Sequence, residues 1–290
     1  MTFRTRFAPS PTGPLHLGHA YSALLAQDMA FAEAGDFLLR VEDIDQSRSR
    51  AEWETQIYDD LKWLGLRWSE SVMRQSARLN DYRAALQNLW DRDLIFRCTC
   101  NRKDIFAAAS APQEGATPPM GPDGVIYPGT CRDNGSNGGM KPFPDNAALR
   151  LNMFNAVMRT KDRFSFTETG EVPNGETGLI KFSGYEVINT IGDVVLARRD
   201  MGTSYHLSVV LDDAAQEITH VVRGQDLFEA TKIHVVLQRL LGLPTPVYHH
   251  HKLIRDDDGK RLAKRDDARA IAKYREGGLT PEDIRAMVGL

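Results

Sequence analysis

The spacing of hydrophobic side chains alternates between helical and strand-like along the first part of the chain. Residues 18–34 carry apolar side chains at helical spacing and predict a helix that ends at Gly35. The mostly apolar segment FLLRVEDID that follows predicts a buried strand ending in carboxylates. Two more helical patterns cover residues 49–64 and 76–92. Strands that alternate with helices predict an α/β fold with a parallel sheet.

A stretch rich in proline and glycine interrupts this pattern. Residues 110–145 hold seven of the fourteen prolines and seven of the 23 glycines, which predicts a loop-rich insertion. Regular patterning returns with GDVVLARRD, SYHLSVVLDD and EITHVVRG, followed by a helical pattern up to Gly242. We expect these later segments to form the second half of the sheet. LTPEDIRAMVGL predicts a short final helix, because Thr280 suits an N-cap and Pro281 the first helical position.

Composition and charge limit how the protein can contact RNA and indicate in which compartment it is found. The chain has 290 residues, a net charge of −3 and a pI near 6.3, so any contact with RNA must rest on a local patch. One candidate is residues 252–275, with nine Lys or Arg against five Asp. The chain begins without the apolar segment of a signal peptide and has no run that could span a membrane. Together with only three cysteines, this predicts a cytoplasmic protein.

The segment RFAPSPTGPLHLGH places two histidines at the start of the first predicted helix. His16 and His19 share one face of its first turn, where unsatisfied backbone N–H groups and the helix dipole attract anions. Gly18 lets a ligand approach the backbone, and neutral imidazoles add hydrogen-bond donors. These features favour a phosphate site. Taken alone, however, such a pair is best explained as two surface histidines at a helix start, and a metal site is a further alternative.

A basic motif far along the chain favours the phosphate site over the other two interpretations of the histidine pair. HLGH and the distant GKRLAKR (259–265) together resemble the two signatures of class I aminoacyl-tRNA synthetases, HLGH matching the HIGH motif and RLAKR the KMSKS loop. RFAPSPTGPLHLGHA, LRVEDID, SYHLSVVLDD and ITHVVRGQDL resemble the glutamyl-tRNA synthetase family along nearly the whole chain. CTC followed by YPGTC resembles the Cys-x-Cys…Tyr-x-x-x-Cys zinc site of its truncated branch, the glutamyl-Q tRNA(Asp) synthetases. The sequence also stops about 25 residues after RLAKR, where charging enzymes continue into an anticodon-reading domain.

The resemblance implies a fold and a division of the chain. It implies a Rossmann-like class I catalytic fold of α/β type with a zinc-bearing insertion. Residues 1–97 and 191–242 would be the two halves of the catalytic domain, and 98–190 an inserted segment that faces the RNA. Residues 243–290 would be a short, mostly helical part with the KMSKS-like loop and no anticodon-binding domain.

The resemblance also implies roles for individual residues. His16, His19 and Lys264 would act on the phosphates of ATP, with Gly18 in the same site. Glutamate would be held by the set Arg6, Ser10, Glu42, Tyr205 and Arg223. In that set Glu42 would bind the ammonium group, and Arg223 is favoured for the side-chain carboxylate. Without the resemblance, Glu42, Asp43 and Asp45 are equally well explained as a capping cluster at the end of a strand.

The three cysteines predict a structural zinc ion. Cys98, Cys100 and Cys131 offer three thiolates, and a closed tetrahedral site needs a fourth ligand. The residues leave Tyr127, Asp104 and Asp123 open for that position, and the family pattern points to Tyr127. Three reduced thiols without a metal remain the alternative. A zinc ion would explain how a segment rich in glycine and proline stays ordered.

The implied reaction is the ATP-dependent activation of L-glutamate, with Mg²⁺, and its transfer to queuosine, a modified base in the anticodon of tRNA(Asp). We expect a monomer. A truncated glutamyl-tRNA synthetase that charges a tRNA 3′ end, a small-molecule adenylyltransferase and a non-catalytic zinc-bearing RNA-binding module are the alternatives. Ala263 departs from the family, which often has Ser there. The HHH tract at 249–251 is expected to be structural or close to ATP.

Overall fold

Parallel strands with helices around them form the centre of the molecule. The computed structural model describes residues 2–110, 117–132, 142–172, 175–255 and 269–290. The helices are α1 (Leu17–Ala32), α2 (Ala51–Trp63), α3 (Leu79–Asp91), α4 (Arg102–Ser110), α5 (Met153–Thr160), α6 (Gly184–Thr190), α7 (Tyr205–Ala215), α8 (Thr231–Leu241), α9 (Ile271–Glu276) and α10 (Pro281–Val288). The strands are β1 (Arg4–Phe7), β2 (Asp36–Val41), β3 (Met73–Arg74), β4 (Ile95–Cys98), β5 (Met120–Gly121), β6 (Gly124–Val125), β7 (Ala148–Leu151), β8 (Arg163–Glu168), β9 (Gly178–Ser183), β10 (Val195–Ala197), β11 (His220–Gly224) and β12 (Val247–His251).

Two parallel groups of strands lie side by side. In the first, β2 pairs with both β1 and β3, and in the second β12 pairs with both β11 and β8. β9 adds an antiparallel strand at the edge of the second group. The backbone N–H of Thr219 donates to the carbonyl of Arg4 at 3.0 Å, which ties the start of β11 to β1. The carboxyl ends of β1, β2, β11 and β12 therefore face the same edge, where α/β proteins bind ligands.

The elements predicted for the first part of the chain are confirmed within a few residues. The pattern at 18–34 is α1, the strand FLLRVEDID is β2 with its carboxylates just beyond, and the two further helical patterns are α2 and α3. The predicted final helix is α10, which begins with the expected cap: the side chain of Thr280 accepts from the backbone N–H of Asp283 at 3.2 Å.

Two of the later segments differ from the prediction. GDVVLARRD contributes β10, which belongs to a separate antiparallel sheet with β7 and β4 rather than to the parallel sheet. SYHLSVVLDD is not a strand but the helix α7. This helix is buried on most of its circumference, so its sequence lacks the one-sided apolar stripe that distinguishes a helix from a buried strand.

Two hydrophobic clusters hold these layers together. One packs α1 against β1 and β2 and includes side chains of α9 and α10, such as Ile271 and Ile284. The C-terminal helix is also fixed by Arg285, which donates to both carboxylate oxygens of Asp28 at 2.7 and 2.9 Å. The other cluster joins the antiparallel sheet to α5, α7 and α8. Within the described ranges, no helix combines the length and the apolar character needed to cross a membrane.

Candidate active site

The two histidines of HLGH cap the first turn of α1. Nδ1 of His16 accepts from the backbone N–H of Gly18, and Nδ1 of His19 accepts from that of His16, both at 3.1 Å. A neutral imidazole that accepts through Nδ1 carries its proton on Nε2, so each ring has an Nε2–H donor. The rings lie together, with centroids 3.8 Å apart. This arrangement suits an anion better than a metal ion, since a metal needs a ring nitrogen without a proton.

The loop before α1 is held close to the end of β2. The backbone N–H of Glu42 donates to the carbonyl of Pro9 at 2.9 Å, and that of Arg50 donates to the carbonyl of Pro11 at 3.0 Å. Ser10 lies between these two anchors. Gly18 follows in the first turn, where a Cβ atom would stand 3.0 Å from Cε1 of His16. The prolines and these hydrogen bonds together fix the shape of the loop.

Lys264 and the whole RLAKR motif lie outside the described residues. The described residues on either side of that motif are both anchored beside α1. Before it, Nε2 of His251 lies 2.7 Å from the hydroxyl of Ser22 in α1. After it, Ala270 forms a bridge with His16, and the N–H of Ile271 donates to the carbonyl of Leu15 at 2.8 Å.

A buried ion-pair network lies at the ends of β1 and β2. Nε and Nη2 of Arg6 donate to the two carboxylate oxygens of Asp213 in α7, at 2.9 and 3.3 Å. Arg40, fully buried, donates to the same Asp213 at 2.8 Å and to Gln216 at 2.9 Å. Its Nη2 also lies 3.4 Å from Glu42. One carboxylate, Asp213, thus joins the arginine of β1 to the arginine that faces Glu42.

The carboxyl group of Glu42 is held in a low-dielectric site. Its side chain is 10% exposed. Burial raises the pKa of Glu42 to about 7, although the charges of Arg40 and Arg6 act in the opposite direction. A buried carboxylate of this kind binds an ammonium ion strongly, because the incoming charge restores its ionised form. Asp43 and Asp45, in contrast, do cap local structure: Asp43 accepts from the N–H of Ser76, and Asp45 from the hydroxyl of Ser47.

The two candidate arginines present different edges of the guanidinium group. Nη1 of Arg6 donates to the carbonyl of Val222 at 3.4 Å, and its Nε–Nη2 edge is taken by Asp213. Nη1 and Nη2 thus make one hydrogen bond each among the described residues, and two such groups can together give parallel hydrogen bonds to a carboxylate. Arg223 donates instead along three edges, to His250, His234 and Thr231 at 3.1, 3.1 and 2.7 Å. That Arg223 takes the side-chain carboxylate stays a prediction, and the geometry favours Arg6 for a bidentate contact.

Tyr205 stands between these groups. It is the first residue of α7 and half-buried, with its ring 5.7 Å from that of His234. Burial raises the pKa of Tyr205, and the charges of Arg223, Glu42 and Arg6 also act on it. His234 in turn is hydrogen-bonded to Arg223, so one side chain separates Tyr205 from that arginine. The structure thus brings together Arg6, Glu42, Tyr205 and Arg223 from four separate segments of the chain.

The three cysteines lie together with Tyr127 at the start of the inserted segment. Their sulfur atoms all lie within 4.8 Å of one another. The hydroxyl of Tyr127 is 3.6 Å from the sulfur atoms of Cys98 and Cys100 and accepts from the backbone N–H of Cys131 at 2.8 Å. Tetrahedral zinc, with thiolates at about 2.3 Å and oxygen at about 2.0 Å, sets sulfur and oxygen ligands roughly 3.5 Å apart. These four side chains therefore fit a zinc ion.

The other two candidates for the fourth ligand point elsewhere. Asp104 accepts from the backbone N–H of Asn101 at 2.8 Å and so caps α4. Asp123 lies 3.4 Å from Nε2 of His206.

The thiols differ in pKa: burial raises the pKa of Cys100 to about 11, whereas hydrogen bonds from Tyr127 and Thr99 overcome burial and lower the pKa of Cys131 to about 6. Within the HHH tract, His250 has a structural role, since it is buried against Glu168 and Arg223, whereas His251 contacts α1.

Comparison with known proteins places this geometry in a family. The family described as tRNA synthetases class I (E and Q), catalytic domain, matches residues 2–119 and 157–290. The chain belongs to this family. It is 62% identical to the glutamyl-Q tRNA(Asp) synthetase of Rhodobacter capsulatus, over 99% of both chains. It is 40% identical to the protein of the same name from Nocardia farcinica, over 98% of this chain and 82% of that one.

A solved structure supports the same assignment. The crystal structure of a glutamate tRNA ligase from Elizabethkingia meningosepticum, in complex with its amino acid, superposes with a TM-score of 0.76 at 26% identity. The match covers 100% of this chain and 61% of that ligase, so the chain spans less than two thirds of its length. The α/β class I catalytic fold expected from HLGH and its companion motifs is therefore confirmed.

Sequence reasoning missed the residues that hold the site together. Asp213 and Arg40 were quoted only as parts of SYHLSVVLDD and LRVEDID, and no role was expected for either. The signal was present, since two adjacent aspartates in an otherwise apolar segment need buried partners. Arg150 was missed as well: its Nε lies 3.4 Å from the sulfur of Cys98, and its guanidinium carbon lies 4.1 Å from the centre of the Tyr127 ring.

Proposed function

We propose that this protein activates L-glutamate with ATP and transfers the glutamyl group to queuosine in the anticodon of tRNA(Asp). The observation that carries the proposal is the meeting of Arg6, Arg40 and Glu42 through Asp213, beside the capped N-terminus of α1. In this proposal, recognition of the carboxylate and ammonium groups lies next to a candidate phosphate site. The name shared by its relatives from Rhodobacter capsulatus and Nocardia farcinica supports the choice of acceptor.

Glutamate would be held by opposite charges at its two ends. Glu42 takes the ammonium group, and the end-on edge of Arg6 takes one carboxylate with two hydrogen bonds. Tyr205, Arg223 and Ser10 complete the pocket around the rest of the molecule. Because Arg6 and Arg40 are already paired with Asp213, they keep their orientation before the substrate arrives, and little reorganisation is needed on binding.

The chemical step needs positioning rather than a general base. The α-carboxylate of glutamate is ionised at neutral pH and attacks the α-phosphorus of ATP, forming glutamyl-adenylate and releasing pyrophosphate. The Nε2–H groups of His16 and His19 donate to phosphate oxygens, with Gly18 allowing close approach. Lys264 and Mg²⁺ would balance the charge on the leaving pyrophosphate. Queuosine then displaces AMP from the adenylate.

A zinc ion bound by Cys98, Cys100, Tyr127 and Cys131 would have a structural role. Four protein ligands leave no open position, so the ion would supply folding free energy to the inserted segment and no chemistry at the active site. In this proposal residues 98–190 face the RNA, and 1–97 with 191–242 form the catalytic domain. Metal analysis of the purified protein should find one zinc per chain. Cys131→Ser should lose it, and a chain without zinc would refute this assignment.

The decisive experiment compares three acceptors. Labelled glutamate is supplied with ATP and Mg²⁺ to queuosine-containing tRNA(Asp), to the same tRNA without queuosine, and to tRNA(Glu). We expect label only on the queuosine-containing species. Label on tRNA(Glu) would instead identify a truncated charging enzyme, an alternative that the structural similarity to a glutamate tRNA ligase keeps in play. Label on none of them would leave the RNA-binding module or the adenylyltransferase.

A further inference from the structure

A line of polar side chains runs from Arg223 to the inserted segment, with two hydrogen bonds followed by one contact to a carboxylate. Nη1 of Arg223 lies 3.1 Å from Nδ1 of His234, and Nε2 of His234 lies 3.1 Å from Nδ1 of His206. Nε2 of His206 lies 3.4 Å from a carboxylate oxygen of Asp123. Asp123 sits in the turn between β5 and β6, four residues before Tyr127. Arg223, His206 and His234 are all buried, and Asp123 is partly exposed.

The direction of every hydrogen bond in this line follows from the arginine. A guanidinium group can only donate, so Nδ1 of His234 must accept. Burial and the charge of Arg223 hold the pKa of His234 well below its usual value, so this ring is neutral and its one proton is on Nε2. That proton is donated to Nδ1 of His206, which must therefore accept. The remaining proton of His206 is on Nε2, the atom that lies 3.4 Å from the Asp123 carboxylate.

A second line from the same arginine ends inside the protein. Nε of Arg223 donates to Nε2 of His250, and Nδ1 of His250 donates to Glu168 at 2.5 Å. Both lines end at a carboxylate. Its negative charge favours the arrangement in which each side chain donates its proton in the direction away from Arg223. They differ in where that carboxylate lies. Glu168 is fixed within the sheet and fully buried, whereas Asp123 is 41% exposed and comes from the hairpin β5–β6.

The hairpin is packed closely enough to place Asp123. At Gly121 a Cβ atom would lie 2.6 Å from the carbonyl oxygen of Thr190, at the end of α6. At Gly192, where φ is +70°, a Cβ atom would lie 2.8 Å from a side-chain carbon of Ile126. Both glycines let the hairpin sit directly against the backbone that follows α6. The position of the Asp123 carboxylate thus depends on how the inserted segment is docked.

We propose that Asp123 and His206 are positioning residues for the amino-acid site: through His234 they hold Arg223 in the orientation that contacts glutamate. The proposal rests on the proposed function, which assigns glutamate to this pocket. Neither residue touches the substrate. The inserted segment then contributes to glutamate affinity as well as to RNA docking, and loosening its hairpin weakens amino-acid binding without altering the groups that act on ATP.

The test separates the hydrogen bonds from the packing of His206. His206→Gln keeps an acceptor for His234 and a donor for Asp123, whereas His206→Leu fills similar space with neither. Asp123→Ala removes the final carboxylate at a partly exposed position, so it changes the line without opening the core. Asp145→Ala is the matched control, because Asp145 is an exposed carboxylate of the inserted segment that pairs only with Arg83 among the described residues.

Two readouts are measured for each variant: KM and kcat for glutamate in the transfer reaction, and the Kd of glutamate by calorimetry. We expect His206→Leu to raise KM and Kd about tenfold and Asp123→Ala about threefold, with kcat changed by less than about twofold. His206→Gln and Asp145→Ala should stay within about twofold of the parent. Affinity unchanged in both His206→Leu and Asp123→Ala overturns the proposal, as does a His206→Gln defect equal to that of His206→Leu.

Failure of the proposed function gives a different result. If the unmodified protein shows neither glutamate-dependent transfer nor glutamate binding, the assignment of the pocket itself is wrong. If it binds and transfers glutamate but the variants give one of the results that overturn the proposal, the assignment of the pocket is kept and only the positioning role of Asp123 and His206 is refuted.

Discussion

The candidate amino-acid site and the cysteine cluster solve the problem of buried polar groups in opposite ways. Around Glu42 each charge already has a partner in the chain, since Asp213 pairs with both Arg6 and Arg40. Around Tyr127 the chain gathers three thiols and a phenol, with Arg150 as the neighbouring cation. In the first arrangement the arginines are paired as folded, and Glu42 keeps a raised pKa until the ammonium of the substrate arrives. In the second, three thiolates can coexist stably only when a divalent cation supplies the missing positive charge.

This difference indicates how each region responds to substitutions. A network of internal ion pairs fixes the orientation of its members, but removal of one partner leaves another charge buried and unpaired. A metal cluster depends on its ion, and the side chains next to the ligands tune how tightly the ion is held. We therefore expect substitutions in the first region to act on glutamate binding and on folding stability, and those in the second to act on metal retention.

The largest effect is expected from Glu42→Gln. Loss of the carboxylate leaves the substrate ammonium without a counter-charge in a buried site, which costs about 4 kcal/mol and lowers kcat/KM for glutamate about 1,000-fold. The measurement is steady-state transfer of labelled glutamate at varied glutamate concentration. Asp45→Asn is the control, because Asp45 caps local structure and should change kcat/KM less than about twofold. Equal effects of the two variants would contradict the role of Glu42.

Two adjacent aspartates allow the positioning of the arginines to be tested separately from the folding stability of the protein. Asp212 and Asp213 are both buried, but Asp212 accepts from Arg78, Gln75 and Tyr82, while Asp213 accepts from Arg6. We expect Asp212→Asn and Asp213→Asn each to lower the free energy of unfolding by about 3 kcal/mol. Only Asp213→Asn should raise KM for glutamate, by about 50-fold, because it releases Arg6 and Arg40. Denaturant titration and kinetics on the same samples decide whether the two effects separate.

In the cysteine cluster the sharpest test is Arg150→Gln. The variant removes the positive charge beside Cys98 and Tyr127, and we expect zinc affinity to fall about 20-fold. Arg132→Gln is the matched control: Arg132 pairs with the carboxylate of Asp193, whose backbone carbonyl accepts from Arg150, yet among the described residues Arg132 forms no hydrogen bond with the sulfur atoms. Competition with a chromophoric chelator measures both affinities. If the two variants lose zinc equally, docking onto Asp193 rather than charge explains the role of Arg150.

Local signals carried most of what the sequence revealed. HLGH predicted two histidines on one face of the first turn of a helix, and the structure adds that both Nδ1 atoms serve as caps. CTC and YPGTC predicted a cluster, and Cys98, Cys100, Cys131 and Tyr127 do meet. These motifs were readable because the residues that act together are close in sequence or belong to a recognised pattern.

Long-range pairing was not readable. Arg40 and Asp213 are 173 residues apart, and nothing in either segment alone specifies which buried charge meets which. The helix α7 was predicted as part of the sheet because burial on most sides removes the periodicity that marks a helix. Both misses have one cause. Where a segment is surrounded by protein, its sequence shows that the segment is buried, but not which neighbour each side chain faces.

The smallest expected effect comes from pH and concerns the amino-acid site. Burial raises the pKa of Glu42 to about 7, so the carboxyl group is mostly ionised at pH 8 and mostly protonated at pH 6. Only the ionised form pairs with the ammonium of glutamate, so KM should rise about tenfold as the pH falls from 8 to 6. His234 and His250 have pKa values lowered by burial and stay neutral over much of this range. KM is measured at saturating ATP, so that an effect of pH on ATP binding does not enter it. Glu42→Gln should abolish the dependence, and a profile unchanged in that variant would assign the titration to another group.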